Sequence, residues 1–227
     1  MAEFFTPSKV KLKRARQHLT ELQGVLDDHM AEYPPKATFT AANDDEGANA
    51  QIVIDWTSPP ECVGAIVGDI VHNLRAALDL MAVELVSLND GGNTDDVYFP
   101  FCQNEDFLDK MIVKRNFNRA GPEEVRLLKE LKPYKGGNAA LRALHDLDIQ
   151  DKHHSLIPSA AAMTTPEVAA DMSSGKLVLR MVEGSVPVIG ITFPADGPLA
   201  GAELIPALQD LIELVEGVLE AFAAIPR

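Results

Sequence analysis

Apolar residues recur at intervals of three and four through Leu12, Ala15, Leu19, Leu22, Val25, Leu26 and Met30, which predicts an amphipathic helix over 7–33. Thr6-Pro7 suits its start, with Thr as the cap and Pro where a missing N–H costs nothing, and Pro34-Pro35 ends it. The runs 37–42 and 51–56 read as two strands of a hairpin, with the polar stretch 43–49 as their loop. Ser58 and Glu61 have capping-box spacing, so a second helix is expected over 59–88. Its stripe of Val67, Ile70, Val71, Leu74, Leu78, Met81 and Leu85 makes it the candidate central helix.

Phe99-Pro100-Phe101 follows a Gly/Asp/Asn loop and reads as an extended apolar anchor. Helices are then expected over 105–114, 123–131 and 138–152, the last preceded by the break Pro133-Tyr134-Lys135-Gly136-Gly137. Beyond it the pattern predicts strands over 155–163, 176–182 and 188–193, the last two joined near Gly184-Ser185. A long helix over 203–224 follows, apolar at Leu204, Leu208, Leu211, Ile212, Val215, Val218, Leu219 and Phe222, and its only charges are acidic. Together these elements describe one α+β, mainly α domain over 1–227. It is a helical bundle with a central buried helix, plus a β-hairpin and small antiparallel sheet elements.

Composition narrows the functions. With 227 residues, 46% of them apolar, the chain can bury a sizeable core. A formal charge of -14 opposes general adhesion to nucleic acid or to an anionic membrane. The cluster Lys9, Lys11, Lys13, Arg14 and Arg16 reads as a solvated helix face, with a local basic site as the alternative. No charge-free run is long enough to span a membrane and no leader-like segment stands at the start, so the expected location is cytoplasmic. Cys62 and Cys102 are expected to be free thiols, Cys62 buried in its apolar stretch. The broad apolar face of the last helix is expected to leave an exposed patch, hence a homodimer or another protein partner.

Polar residues on two helices carry the candidate chemistry. His72, Arg75 and Asp79 fall within about 60° of one another on the helical wheel. They are either a solvated face with an i,i+4 pair or one wall of a site. On the helix over 138–152, His145, Asp148 and Lys152 form a row beside the apolar Leu141, Leu144 and Leu147. A row at the edge of a core needs partners, and the polar residues of the central helix are the economical ones. The six residues are therefore expected to meet across a helix–helix contact, as a structural network or as a pocket. Asp151-Lys152-His153-His154 suits a helix end without any chemistry, and His18 and His29 are expected to be solvated. His145 and Asp148 supply only two ligands, so no metal and no cofactor is expected, and no phosphate loop or nucleophile motif occurs.

The string His72-Asn73-Leu74-Arg75-Ala76-Ala77-Leu78-Asp79, then Phe99-Pro100, Leu131-Lys132-Pro133-Tyr134 and Leu144 to Asp151-Lys152-His153, resembles an uncharacterised family of bacterial proteins. The resemblance covers about half the chain and implies no activity. A more remote similarity is to HEPN domains, helical bundles that often dimerise and act as ribonucleases or as partners of nucleotidyltransferases. Their pattern is an Arg followed four to six residues later by His. Arg75 matches the Arg, but Leu80 stands where the His is expected, so the resemblance implies binding or assembly rather than an active nuclease. Two functions are carried forward. One is a HEPN-like protein working by self-assembly or partner binding. The other is an enzyme whose pocket of His72, Arg75, Asp79, His145, Asp148 and Lys152 holds an anionic substrate, with His as acid/base. A metal-dependent hydrolase ranks below both. An open cleft between the two polar helices favours the enzyme, and a closed, fully paired network favours the scaffold.

Overall fold

The computed structural model describes residues 4–44, 47–153, 159–162, 168–171, 178–181 and 189–226, with side chains over 4–36, 55–151 and 190–226. Six α-helices carry the fold: α1 (Thr6–Glu32), α2 (Cys62–Asn89), α3 (Leu108–Lys114), α4 (Pro122–Leu131), α5 (Ala139–His153) and α6 (Leu204–Ala223). Helix α2 is the hub, packing against α1, α5 and α6 and against a 3-10 turn at Phe117–Ala120. Its predicted stripe is wholly buried, and Val63, Ala77, Ala82 and Val86 on its other sides are buried too. Each such aliphatic side chain removed from water contributes roughly 1.5–3 kcal/mol, so most of the core's driving force gathers on this helix. No helix among the described residues is long and apolar enough to cross a membrane.

Several local expectations are corrected. Helix α2 begins at Cys62, and its N-cap is Glu61 without a side-chain cap bond, so the Ser58 capping box does not form. Cys62 consequently lies at an exposed helix start, and Cys102 supplies the buried free thiol. Thr6 is the first residue of α1 rather than its cap, and the N-cap Phe5 adopts the left-handed conformation with φ 60°. Its N–H donates to Glu84 Oε1 of α2 at 2.8 Å. His18 and His29, expected in water, are buried where α1 turns its inner face to the molecule. His29 Nε2 is 3.0 Å from the Thr57 carbonyl oxygen, and the ring meets Trp56 edge-on.

Among the described residues the strands pair in twos. β1 (Lys36–Asp44) and β2 (Gly47–Asp55) form the expected hairpin, but they extend into the predicted loop, pairing Ala42 with Asn49 and Asp44 with Gly47. The expected small sheet does not form from the later segments. β6 (Ile189–Thr192) pairs with β3 (Ser159–Ala162), while β5 (Val178–Met181) pairs with β4 (Val168–Asp171), a strand the pattern had not marked. The expected junction at 184–185 lies outside the described residues. Alternation identifies a strand without naming its partner, so adjacent strands were paired where the chain pairs them by nesting. The Phe193 N–H donates to the Ala202 carbonyl, tying the end of β6 to the start of α6.

All eight apolar residues named on the last helix are buried within the chain itself. Leu208, Leu211 and Val215 belong to the same core cluster as the α2 stripe. Among the described residues α1 and α2 pack on α6, so these eight side chains do not form the exposed patch expected there.

Helix α5 takes its position from the break before it. Lys132 ends α4 in the left-handed conformation at φ 51°, and the Tyr134 and Asn138 N–H groups both donate to its carbonyl. Gly137 lies against this turn so closely that a Cβ would stand 2.4 Å from the Lys132 carbonyl oxygen and 2.9 Å from the Tyr134 ring. Gly137→Ala should therefore cost about 1–3 kcal/mol, the range for an overpacked site that must shift backbone. Urea denaturation checks this, and an unchanged midpoint would show that the turn yields without cost.

Candidate functional site

The anchor Phe99-Pro100-Phe101 and the next residue, Cys102, run between α2 and α5, and one arginine from each helix holds this segment. Arg75 of α2 donates to Asp79 Oδ1 at 2.6 Å and to the Phe99 carbonyl at 3.3 Å. Asp79 Oδ1 also accepts the Phe99 N–H at 2.8 Å. Arg142 of α5 grips the other end, donating to the Cys102 carbonyl at 2.9 Å while bidentate to Asp146. The Cys102 N–H donates to the Pro133 carbonyl. The Phe-Pro and Leu-Lys-Pro-Tyr blocks, distant in sequence, thus meet in space.

The rings between the arginines fix the geometry further. Phe101 stacks on His145 with centroids 4.6 Å apart and planes 4° from parallel, and the Arg75 guanidinium lies 4.6 Å from the same Phe101 centroid. Phe99 continues inward to Phe117, and Phe117 to Phe222 of α6. Burial first, then the charges of Arg75 and Arg142, pushes the His145 imidazole down to about 4. Its Nδ1 is buried without a hydrogen-bond partner. At neutral pH this histidine is an uncharged ring in a stack. Burial raises Asp79 from the usual carboxylate range despite Arg75 and the Phe99 N–H. Burial likewise raises the Cys102 thiol, which donates to the Asn104 carbonyl at 3.1 Å, so it is no activated nucleophile.

His72 differs from His145. Its side chain is 57% exposed, and its Nδ1 lies 3.3 Å from Oδ1 of Asp148, whose side chain is only 5% exposed. A carboxylate can only accept, so the neutral ring carries its proton on Nδ1 and keeps the Nε2 lone pair for a ligand.

Two hollows share His145 of the stack. The larger, about 340 Å³, is lined by His72, Arg75, Asp79, Tyr98, Arg115, His145 and Asp148 among others. The smaller, about 220 Å³, is lined by Arg75, Phe99, Phe101, Cys102, Gln103, Arg115, Arg142 and His145 among others. Arg75, Arg115 and His145 are common to both. Hollows of about 330–360 Å³ lie elsewhere on the surface, so the chemistry of the lining, and not its size, singles out this cleft. Arg115, at the C-terminus of α3, is exposed, with its guanidinium 5.1 Å from the Tyr98 centroid. Among the described residues it forms no side-chain hydrogen bond or ion pair.

Five of the six residues singled out from the sequence, His72, Arg75, Asp79, His145 and Asp148, line the larger hollow. The backbone of Lys152 lies near the end of α5, and its side chain is outside the described residues. The site also includes Arg142, Arg115 and Phe101. Arg142 had a readable signal, being spaced i,i+4 from Asp146 and one turn before His145. Arg115 had none, because it arrives from a short helix that only the tertiary fold brings here.

The lowered His145 fixes a direction of pH dependence. Between about 6.5 and about 4 the unfolded chain binds a proton here that the folded chain refuses. Stability from this residue is therefore complete above that window and is lost as pH falls through it. Asp79, raised when folded, acts in the opposite sense, so the contribution must be isolated by difference. His145→Phe, which keeps a ring on Phe101, should lose less stability than wild type on acidification across this window. Urea denaturation at matched pH values measures it, and parallel losses in the two proteins would refute the assignment.

Compared with family models, with curated proteins and with solved structures, the chain matches none, so the reading of this cleft rests on its own geometry.

Proposed function

We propose that the cleft between α2 and α5 binds a small anionic molecule and acts on it by general acid–base catalysis, with His72 as the base. The observation that carries this reading is the His72–Asp148 pair, a solvent-facing imidazole held by a buried carboxylate. An exposed imidazole on a buried carboxylate stays open to a ligand while its partner holds it. The arrangement fits a base whose tautomer and direction are set by a fixed acceptor, which leaves Nε2 toward the hollow's ligand. Arg115 supplies an uncommitted positive charge beside it, and Arg75 a positioned one.

The clamps on Phe99 and Cys102 are structural in this reading, and the open cleft beside them is functional. The HEPN-like assembly reading ranks second. Its motive was an apolar face on α6, and those side chains are buried in the chain's own core. A homodimer would have to use other surface.

A panel of phosphorylated and carboxylated small molecules, screened by thermal shift and then for turnover, tests the proposal. His72→Gln should leave ligand binding in place and reduce turnover by about 10²–10⁴-fold, the usual contribution of a general base. Asp148→Asn should reduce turnover in the same direction. Turnover indifferent to His72→Gln would end the acid–base assignment, and ligands indifferent to Arg115→Met would move binding out of this cleft.

A further inference from the structure

We infer that the smaller compartment is a phosphoryl subsite, so that the molecule bound in the cleft is a small phosphomonoester with its phosphate among Arg75, Arg115 and Arg142. The inference rests on the cleft reading above and adds the chemical class of the ligand. The two compartments differ in sign. Asp79 and Asp148 line the larger one beside His72, whereas three arginines and no acidic residue are among those lining the smaller one.

The donors are already positioned. A guanidinium carries five N–H groups. Arg142 commits three of its donors, two to Asp146 and one to the Cys102 carbonyl, and Arg75 commits one to Asp79 and one to the Phe99 carbonyl. Each keeps spare N–H groups on a head that its pairings hold still, so little side-chain entropy is left to lose on binding. Arg115 adds an arm whose side chain, among the described residues, makes only its contact with Tyr98. Three arginines lining one hollow, from α2, the end of α3 and α5, suit a tetrahedral group, whose oxygens point in several directions. A carboxylate offers two oxygens in one plane and would leave an arm idle. The electrostatic balance at His145 agrees, since Arg75 and Arg142 each weigh more on that ring than Asp146 or Asp148.

A phosphate held there places its ester substituent toward the shared wall of Arg75, Arg115 and His145, and so toward His72. The acidic chain argues against a polyanion in this role. Its charge of -14 repels an extended phosphate backbone, while a single phosphoryl group meets mainly the local arginines.

Isothermal titration of the full chain with inorganic phosphate tests the inference, with acetate as the planar control and sulfate as a tetrahedral competitor. Wild type should bind phosphate, yield it to sulfate and bind acetate at least about tenfold more weakly. Arg115→Met and Gln103→Glu change exposed residues of the compartment, so both should fold. Each should weaken phosphate by about tenfold or more, one by removing a charged donor and the other by adding a repelling charge. His72→Gln should bind phosphate as wild type does, which separates this subsite from the acid–base assignment. Equal affinity for acetate and phosphate would overturn the inference, as would phosphate binding unchanged by both rim variants. Tighter binding of a single-stranded RNA oligonucleotide than of any phosphomonoester would also overturn it. A carboxylate ligand turned over in a His72-dependent way, without phosphate binding, would sink the subsite and leave the proposed function standing.

Discussion

The site depends on the capture of four residues, Phe99 to Cys102, by an arginine from each of two helices. Arg75 and Asp79 together satisfy both peptide groups of Phe99, and Arg142 holds the carbonyl of Cys102. A segment without regular structure that enters a core must find partners for its backbone, since each unsatisfied buried group costs on the order of 1–3 kcal/mol. Here the partners are charged side chains, which give stronger and more directional bonds than neutral ones. Once the backbone is held, Phe99 fills the core and Phe101 lies under Arg75 and against His145. Arg75 and His145, both in contact with Phe101, line both hollows, so the clamp also shapes the cleft.

This arrangement explains why the polar rows on α2 and α5 could be read from the sequence while their function could not. Helical spacing places His72, Arg75 and Asp79 on one face, and His145 and Asp148 at the edge of another. A polar group at a core edge implies a partner, and the partnership of α2 with α5 follows. What the rows touch is not periodic. Arg75 was as free, on spacing alone, to reach Asp148 as Asp79, and the backbone of Phe99 decided between them. Arg115 is contributed by the C-terminus of a seven-residue helix, and no local pattern marks it.

The misreadings have the same origin. Cys62 was assigned to the core because its neighbours are apolar, yet α2 starts at that residue and the first turn of a helix stands at its rim. A surface helix predicts water around His18 and His29, but α1 turns them inward. On α1 they fall in register with Leu12, Ala15, Leu22 and Leu26, and register overrode polarity. On α6 the breadth of the apolar face was read as surplus, but a helix covered by both α1 and α2 needs a broad one. Periodicity reports how much of a helix is buried without saying by what.

The charge distribution completes the argument. The chain carries 34 acidic residues against 20 lysines and arginines, yet three arginines line one small hollow. Charges beyond a Debye length of about 8–10 Å are largely screened at ordinary salt, so a compact anion in that hollow meets the arginines more than the distant acids. Two of the three cations are already paired with Asp79 and Asp146, which limits their net attraction but fixes their direction. The unpaired charge of Arg115 then supplies attraction, and the paired arginines supply geometry. This division favours discrimination over affinity. Arg115 lines both hollows while its guanidinium rests 5.1 Å from the ring centroid of Tyr98, the residue next to Phe99, so the attracting charge stands beside the captured segment.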